Sequence, residues 1–215
     1  MTDWATIASL GTAVGTLVLA VATFASIRSA NRSARTSDRS ARIAEQSLLA
    51  MQRPLLVSSR LQDPQQKIQF PEGVWLTAEG GSAALEVTDE VVYLSISIRN
   101  AGTGLAVLHG WQVQVGIQQD RTHPPLDGFT VQNLDIFVAP TDIGLWLSAL
   151  RDPAAPVFTE VSAAISAGEP LSVYLLYGDF EGGQRVITLF SLRHARERWL
   201  AQATRHFNVD RPEPR

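Results

Sequence analysis

The longest uncharged run in this sequence lies at its beginning. Asp3 is the only formal charge among residues 1–27, and the 24 residues from Trp4 to Ile27 have none. As an α-helix that run would be about 36 Å long, enough to cross a hydrocarbon core of about 30 Å. A cleaved signal peptide would need a basic start and an apolar run of roughly 7–15 residues. The sequence therefore predicts an uncleaved transmembrane anchor over residues 1–27.

Arginines crowd the C-terminal side of this run. Residues 28–53 contain six arginines against two acidic residues, whereas residues 54–215 contain 12 basic and 18 acidic residues. Because basic flanks stay on the cytoplasmic side of a membrane, we expect the N-terminus outside and the domain in the cytoplasm. The basic residues border the span and do not cluster over the domain, so the pattern predicts a lipid bilayer as partner and no nucleic acid.

Residue usage indicates the source of the chain. It has no cysteine, which excludes disulfides and thiolate metal sites. Lys67 is the only lysine among 18 basic residues, and alanine is abundant. Such usage is typical of high-GC bacterial genomes, so we expect a single-pass protein of the bacterial inner (cytoplasmic) membrane.

Residues 28–53 predict a helix that continues from the anchor, because no proline or glycine occurs between residues 16 and 52. The Arg53-Pro54 pair should end it. Five arginines share one face at steps of four and three: Arg28, Arg32, Arg35, Arg39 and Arg42. The opposite face has the spacing of coiled-coil a and d positions and carries Ala30, Ala34, Ser37, Ala41, Ala44, Leu48 and Met51. Two interpretations remain open: a coiled-coil seam between copies, or a solitary linker helix with a solvated arginine face.

The phase of this seam extends back into the anchor. From Thr6 to Ala44 it covers 12 positions, of which 11 are Ala, Ser or Thr. Small residues let helices approach closely in lipid. Gly11 and Gly15 form a rival GxxxG pair on a different face. The sequence thus predicts a homo-oligomer formed through the N-terminal helix.

After Pro54 the apolar residues alternate with a period of two. The clearest cases are "VVYLSISIRN" (residues 91–100) and "WQVQVGI" (residues 111–117), which predict half-buried antiparallel strands. Further strands are predicted near residues 55–59, 74–77, 171–177, 184–192 and 199–209. "GDFEGGQ" predicts a hairpin turn in which Gly182 and Gly183 can take positive φ, and short helices are predicted at Gly144–Leu150 and Val157–Ala167. The predicted fold over residues 54–215 is mainly β: a single antiparallel, immunoglobulin-like β-sandwich of about seven or eight strands with two short helices.

The segment "RNAGTGLAVLHGW" (residues 99–111), together with "RPLLV" before it and "YGDFEGGQR" and "RHFNVDR" after it, resembles a group of uncharacterised single-pass membrane proteins of high-GC bacteria. The likeness covers nearly the whole chain. It implies an anchor, a short polar helix and a β-sandwich-like domain, and it brings no activity or catalytic residues. The residues themselves predict a turn at Asn100, Gly102 and Gly104, because asparagine can hydrogen-bond its own backbone and glycine admits positive φ.

The sequence contains none of the common catalytic motifs. The chain lacks a GxxxxGK[ST] phosphate loop, an HExxH zinc helix and a GxSxG nucleophile elbow, and the sequence predicts no cofactor. The best polar set is Asp179, Glu181, Arg185, His194 and His206. Its carboxylates and imidazoles could ligate a metal or share acid–base duty. The favoured interpretation is that Asp179 and Glu181 are ordinary turn residues beside Gly182 and Gly183, with Arg185 paired to the carboxylates.

These observations predict a membrane-tethered, non-enzymatic binding or assembly module with an unknown protein partner. The alternative is a membrane-tethered hydrolase or metal-dependent enzyme that uses the C-terminal Asp, Glu and His set. Convergence of that set in one concave pocket would favour the enzyme, and dispersal would remove its support.

Overall fold

The computed structural model describes residues 4–134 and 136–210, and describes residues 4–9, 11 and 50 in their backbone alone. Asp3, on which the predicted orientation partly rests, lies outside the described residues. The side chains of Thr6 and Ser9, two positions of the predicted helix seam, are not described either, and Gly11 of the rival pair is described in its backbone alone. The chain separates into two compact units, one ending at Leu48 and the other beginning at Leu49.

The first unit consists of one continuous helix. Helix α1 covers Trp4–Met51, which confirms the predicted continuation beyond the anchor and the end just before Pro54. Its apolar side chains are uncovered: Leu19 is 70% exposed and Phe24 is 67% exposed. Within the described part of the chain, this helix alone is long and apolar enough to cross a membrane, with a mean hydropathy of 1.6 over its best 18 residues.

The second unit is built mainly from β-strands. Its described strands are β1 Leu56–Ser58, β2 Gln66–Gln69, β3 Trp75–Ala78, β4 Ser82–Val87, β5 Val92–Asn100, β6 Ala106–Val115, β7 Thr130–Val131, β8 Phe137–Val138, β9 Ile143–Leu150, β10 Leu171–Gly178, β11 Val186–Ala195 and β12 Arg198–Asn208. Helix α2 covers Pro156–Ala167, and a single 3-10 turn covers Leu126–Gly128.

Ten strands form one antiparallel sheet that folds over itself. Its order is β1-β5-β4-β12-β11-β10-β6-β7, with β8 also paired to β6 and β9 to β5. The two ends of the sheet face each other, since Trp111 of β6 packs edge-on against Trp146 of β9 with ring centroids 5.7 Å apart. No ladder joins β9 to β7 or β8 among the described residues, so the sheet is a sandwich and not a closed barrel. The predicted fold class is confirmed.

The interior of the sandwich holds one large apolar core. Side chains from β5, β6, β9, β10 and β11 meet there, with Leu94, Ile96, Trp146, Leu175 and Phe190 completely buried. Burying a leucine or phenylalanine side chain contributes roughly 1.5–3 kcal/mol, so this cluster is the main source of stability. Helix α2 packs against β4, β5 and β6 and adds its own buried side chains to the core.

Strand β5 is buried on both faces, contrary to the predicted half-buried pattern. Its inward residues join the main core, while Tyr93 on the outer face packs against Phe70 at 4.8 Å between ring centroids. Phe70 and Leu76 belong to the hairpin of β2 and β3, which covers this face. The prediction failed because alternation along one strand does not reveal that a separate hairpin covers its second face. Strand β6 keeps the expected alternation, with Trp111 and Val113 buried.

The predicted helix at Gly144–Leu150 is wrong, because this segment is strand β9. Trp146 points into the main core, whereas Leu147 packs under the β2–β3 hairpin. A strand covered on both faces loses the alternation of apolar and polar residues and resembles a short buried helix.

The second predicted helix is confirmed as α2. Pro156 stands in its first turn, where a missing N–H costs nothing. Gly168 ends it at φ 70°, and its N–H donates to the carbonyl of Ala164.

The side chain of Gln132 joins the two open edges of the sheet. Gln132, in the segment after β7, is 8% exposed. Its Nε2 donates to the carbonyls of Leu134 at 2.6 Å and Leu147 at 3.0 Å. Its Oε1 accepts the indole N–H of Trp146 at 3.1 Å. A glutamine side chain therefore bridges the two sheet edges where no backbone ladder forms.

We expect Gln132→Met to lower the free energy of unfolding by about 1–3 kcal/mol, because the buried indole N–H of Trp146 would lose its acceptor. Denaturant unfolding of the full chain in detergent, followed by tryptophan fluorescence, measures the change. Gln202→Met, at an exposed position of β12, is the matched control and should stay within about 0.5 kcal/mol of the parent chain. Equal unfolding midpoints for the two variants would contradict the bridging role.

Candidate functional site

The structure does not bring the five predicted polar residues together. Asp179, Glu181 and Arg185 surround the turn between β10 and β11. His206 on β12 pairs with Thr188, near the same end of β11. His194 lies at the opposite end of β11, roughly 30 Å along the strand from Arg185 at 3.3 Å per residue.

Asp179 holds the turn in shape. It is 3% exposed, its Oδ1 accepts the N–H of Gly183 at 2.8 Å, and its Oδ2 accepts Nε2 of Gln184 at 3.1 Å. Gly182 takes the predicted positive φ, at 76°. The hairpin is confirmed, and Asp179 serves as its turn residue. Glu181 is exposed beside it.

Arg185 does not pair with the carboxylates of the turn. It binds Asp210 through three side-chain contacts: Nη2 to Oδ1 at 2.7 Å, Nε to Oδ1 at 3.1 Å and Nε to Oδ2 at 3.2 Å. Its backbone N–H adds a fourth bond, to Oδ2 at 2.7 Å. These hydrogen bonds lower the pKa of the Asp210 carboxyl. The predicted partner of Arg185 is therefore wrong. The observed partner, Asp210, lies just after β12.

His206 belongs to a polar network that fastens β1 to the sheet. Its Nδ1 lies 2.8 Å from the Thr188 hydroxyl, which lies 2.9 Å from the Tyr177 hydroxyl. The Tyr177 hydroxyl accepts the N–H of Leu56 at 3.1 Å. Burial, with a smaller effect from Arg53, lowers the pKa of His206. Neutral imidazole therefore suits this structural position.

His194 packs on an aromatic ring. It is exposed, and its ring lies tilted against that of Trp199 with centroids 5.3 Å apart. Within residues 4–134 and 136–210, no three His, Asp or Glu side chains lie close enough to share a metal ion. Four of the five predicted residues have structural partners, so the geometry gives the hydrolase or metal-enzyme alternative no support.

Asn100 is the residue whose importance the sequence only partly revealed. Its side chain is completely buried. Its Oδ1 accepts the N–H groups of Gly102 at 3.0 Å and Leu55 at 3.1 Å. Its Nδ2 donates to the carbonyls of Gly104 at 2.7 Å and Val138 at 3.1 Å. The predicted bond to its own backbone, at Gly102, is present. One further bond reaches Gly104 in the same loop, and two join the distant segments at Leu55 and Val138.

Gly102 and Gly104 are required for close approach and not for positive φ. Neither is among the residues with left-handed backbone. A Cβ on Gly104 would overlap the carbonyl of Gln52, and one on Gly102 would overlap the carbonyl of Arg53. The loop therefore lies directly against the chain that leaves helix α1.

The last turn of α1 is capped by this loop and by the turn after β10. The final carbonyls of a helix have no partner within it. Here the Leu49 carbonyl accepts Nε2 of Gln184 at 2.6 Å, and the Met51 carbonyl accepts the Thr103 hydroxyl. The N–H of Thr103 also donates to the Arg53 carbonyl at 3.2 Å. We call residues 100–104 and Gln184 the helix clamp; the segment it holds belongs to the second unit.

An open groove of about 420 Å³ lies beside the helix clamp. It is lined by Gln52, Thr103, Gly104, Leu105, Asp179, Phe180 and Glu181. Phe180 is 72% exposed, which is unusual for a phenylalanine between two acidic residues in a turn. The sequence prediction did not include this groove. The signal that could have indicated it is an aromatic residue flanked by two carboxylates, Asp179 and Glu181.

A second apolar surface lies on the segment from β7 to β8. Val131 is 67% exposed, Phe137 56% and Leu134 47%. Leu134 also borders a shallow groove with Phe70 and Leu147. The sequence pattern does not indicate this surface, because Val131, Leu134 and Phe137 are separated by polar residues.

We expect Gly104→Ala to lower the free energy of unfolding by about 1–3 kcal/mol, because a methyl group would force the loop away from the Gln52 carbonyl. Urea unfolding of the full chain in detergent tests this. Gly183→Ala is the matched control, since its nearest neighbour is Asp179 Oδ2 at 4.0 Å. If both variants unfold at the same urea concentration, the close approach does not constrain residue 104.

Comparison with known proteins gives no assignment: no family model, no curated protein and no solved structure matches this chain.

Proposed function

We propose that this chain is a membrane-tethered, non-enzymatic binding or assembly module of a bacterial inner membrane. The observation that carries the proposal is the 48-residue helix α1. No described residue covers the apolar window of this helix. Uncovered leucine, valine and phenylalanine side chains over this length are suited to lipid. The structural roles of Asp179, Arg185 and His206 support binding or assembly over catalysis.

The proposed orientation places the N-terminus outside and the β-domain in the cytoplasm. It is supported by the arginines that begin at Arg28, directly after the apolar run. An anionic leaflet attracts each nearby arginine by about 1 kcal/mol, within a Debye length of about 8 Å. Arg28 and Arg32 would lie within that distance, and Arg42, about 21 Å further along the helix than Arg28, would not.

The orientation is tested by adding protease to intact cells or to right-side-out vesicles. The β-domain should stay whole until the membrane is lysed, because the bilayer would shield it. Lysed membranes are the control, in which the exposed arginine-rich segment should be cut. Digestion of the domain without lysis would reverse the assignment.

Self-association through α1 is the second part of the proposal. Its support is the run of small residues in one heptad phase, including Ala20, Ala30 and Ala34. The hydroxyls of Thr16 and Thr23 donate to carbonyls in their own helix at 2.9 Å and 2.8 Å. Close packing, more than hydrogen bonds between helices, would therefore hold a coiled-coil seam together.

Single cysteines test the seam, because the chain has none of its own. In native membranes, oxidation should link Ala34→Cys chains efficiently and Arg32→Cys chains poorly, since position 34 would face the partner and position 32 would face away. Equal linking at both positions, or none at either, would leave α1 as a solitary linker helix.

A further inference from the structure

We propose that the groove beside the helix clamp binds a peptide segment of a partner protein in which a lysine or arginine stands next to a large apolar side chain. This inference deepens the proposed binding function and rests on it. It assigns a site and a class of ligand to the β-domain.

The main apolar surface of the groove is the exposed ring of Phe180. This side chain stands at the tip of the turn between β10 and β11 and is 72% exposed. Leu105 lies in the same groove. Covering apolar surface is favourable by about 25 cal/mol per Å², so a large apolar side chain seated between Phe180 and Leu105 would gain free energy from both. The volume of about 420 Å³ is within the roughly 300–1,000 Å³ typical of ligand sites.

The charge of the groove favours a lysine or arginine next to the apolar side chain of the bound peptide. Asp179 and Glu181 are the charged residues of its described lining, and both are acidic. The face of the Phe180 ring also attracts a cation. An ammonium or guanidinium group therefore complements this surface, and an acidic peptide would be repelled.

No arginine or lysine is among the described residues that line the groove. The charge of Arg185 is balanced by Asp210, with which it makes three side-chain contacts. Arg53 bonds to the neutral amide of Asn208 and keeps its charge, but it lies outside the lining. Burial and the neighbouring Arg185 lower the pKa of His109, so its imidazole adds no charge at neutral pH. The charged groups of the lining itself are therefore the carboxylates of Asp179 and Glu181.

The shape of the groove favours a peptide. It is open to solvent and is not an enclosed cavity, so a peptide can place two adjacent side chains in it and extend beyond it. The rigid wall formed by Thr103 and Gly104 is already fixed against Gln52. A preformed wall lowers the cost of ordering on binding.

The test uses the full chain in lipid nanodiscs and a phage-displayed library of random heptapeptides. The binding variant is the double substitution Phe180→Ser with Glu181→Lys. The matched control is Trp75→Ser with Glu90→Lys, which also replaces an exposed aromatic and an exposed acid. All the altered side chains are exposed, and thermal unfolding checks that each variant folds like the parent chain.

We expect the enriched peptides to carry a lysine or arginine adjacent to a large apolar residue. Their affinity should fall by about ten-fold or more in the binding variant and stay unchanged in the control. The proposal is overturned if no peptide is enriched, if the enriched peptides lack the cation, or if the binding variant retains them. Such a result would leave the membrane-tethered module standing as long as the protease and crosslinking experiments give their expected outcomes, so the two failures are distinguishable.

Discussion

The buried amide of Asn100 is the interaction on which the second unit depends most. Leaving an amide in an apolar interior without partners costs several kcal/mol, and Asn100 avoids that cost with four hydrogen bonds. The four partners belong to the start of β1, the loop after β5 and strand β8. One side chain thereby determines where the chain arrives from the helix and how close the loop can come to it. The glycines at 102 and 104 are a consequence of that closeness.

The sandwich is also shaped by how its sheet ends. A strongly twisted sheet of ten strands either closes, splits or leaves edges that require protection. In this unit the strands β7 and β8 are only two residues each, and Gln132 provides to β9 the hydrogen bond that a longer ladder would have supplied. Gly144 on β9 lies against Val138 on β8, so the two edges approach closely at one point without pairing. A side-chain bridge gives a definite geometry with few backbone bonds.

The sequence predicted those parts of the molecule whose cause is local. Alternation located β5 and β6, the glycine-rich turn located the hairpin of β10 and β11, and the absence of breakers predicted the length of α1. Prediction failed where the cause is distant. Trp146 and Leu147 are covered from opposite sides by segments remote in sequence, so β9 was mistaken for a helix. Arg185 pairs with Asp210, which lies 25 residues further along the chain, and no periodicity reveals such a pair.

The candidate site shows the same limit. Asp179, Glu181 and Arg185 were found because they are neighbours in the sequence, and that proximity did not make them a catalytic set. The groove, in contrast, is built from three segments, near residues 52, 104 and 180. Only the fold brings these segments together. Phe180 lies in the predicted turn "GDFEGGQ", but the sequence does not reveal that its ring is exposed.

The capping of α1 has a consequence for how the protein is made. Gln184 and Asn208 follow their partners Leu49 and Arg53 by 135 and 155 residues. Synthesis proceeds at roughly 5–20 residues per second, so the ribosome would need on the order of ten seconds to deliver them after the helix has emerged. During that interval the helix end has no cap from the domain. In the membrane-tethered protein that we propose, insertion of the apolar segment would thus precede folding of the domain, and the hydrogen bonds at the helix end would be among the last to form in the newborn chain.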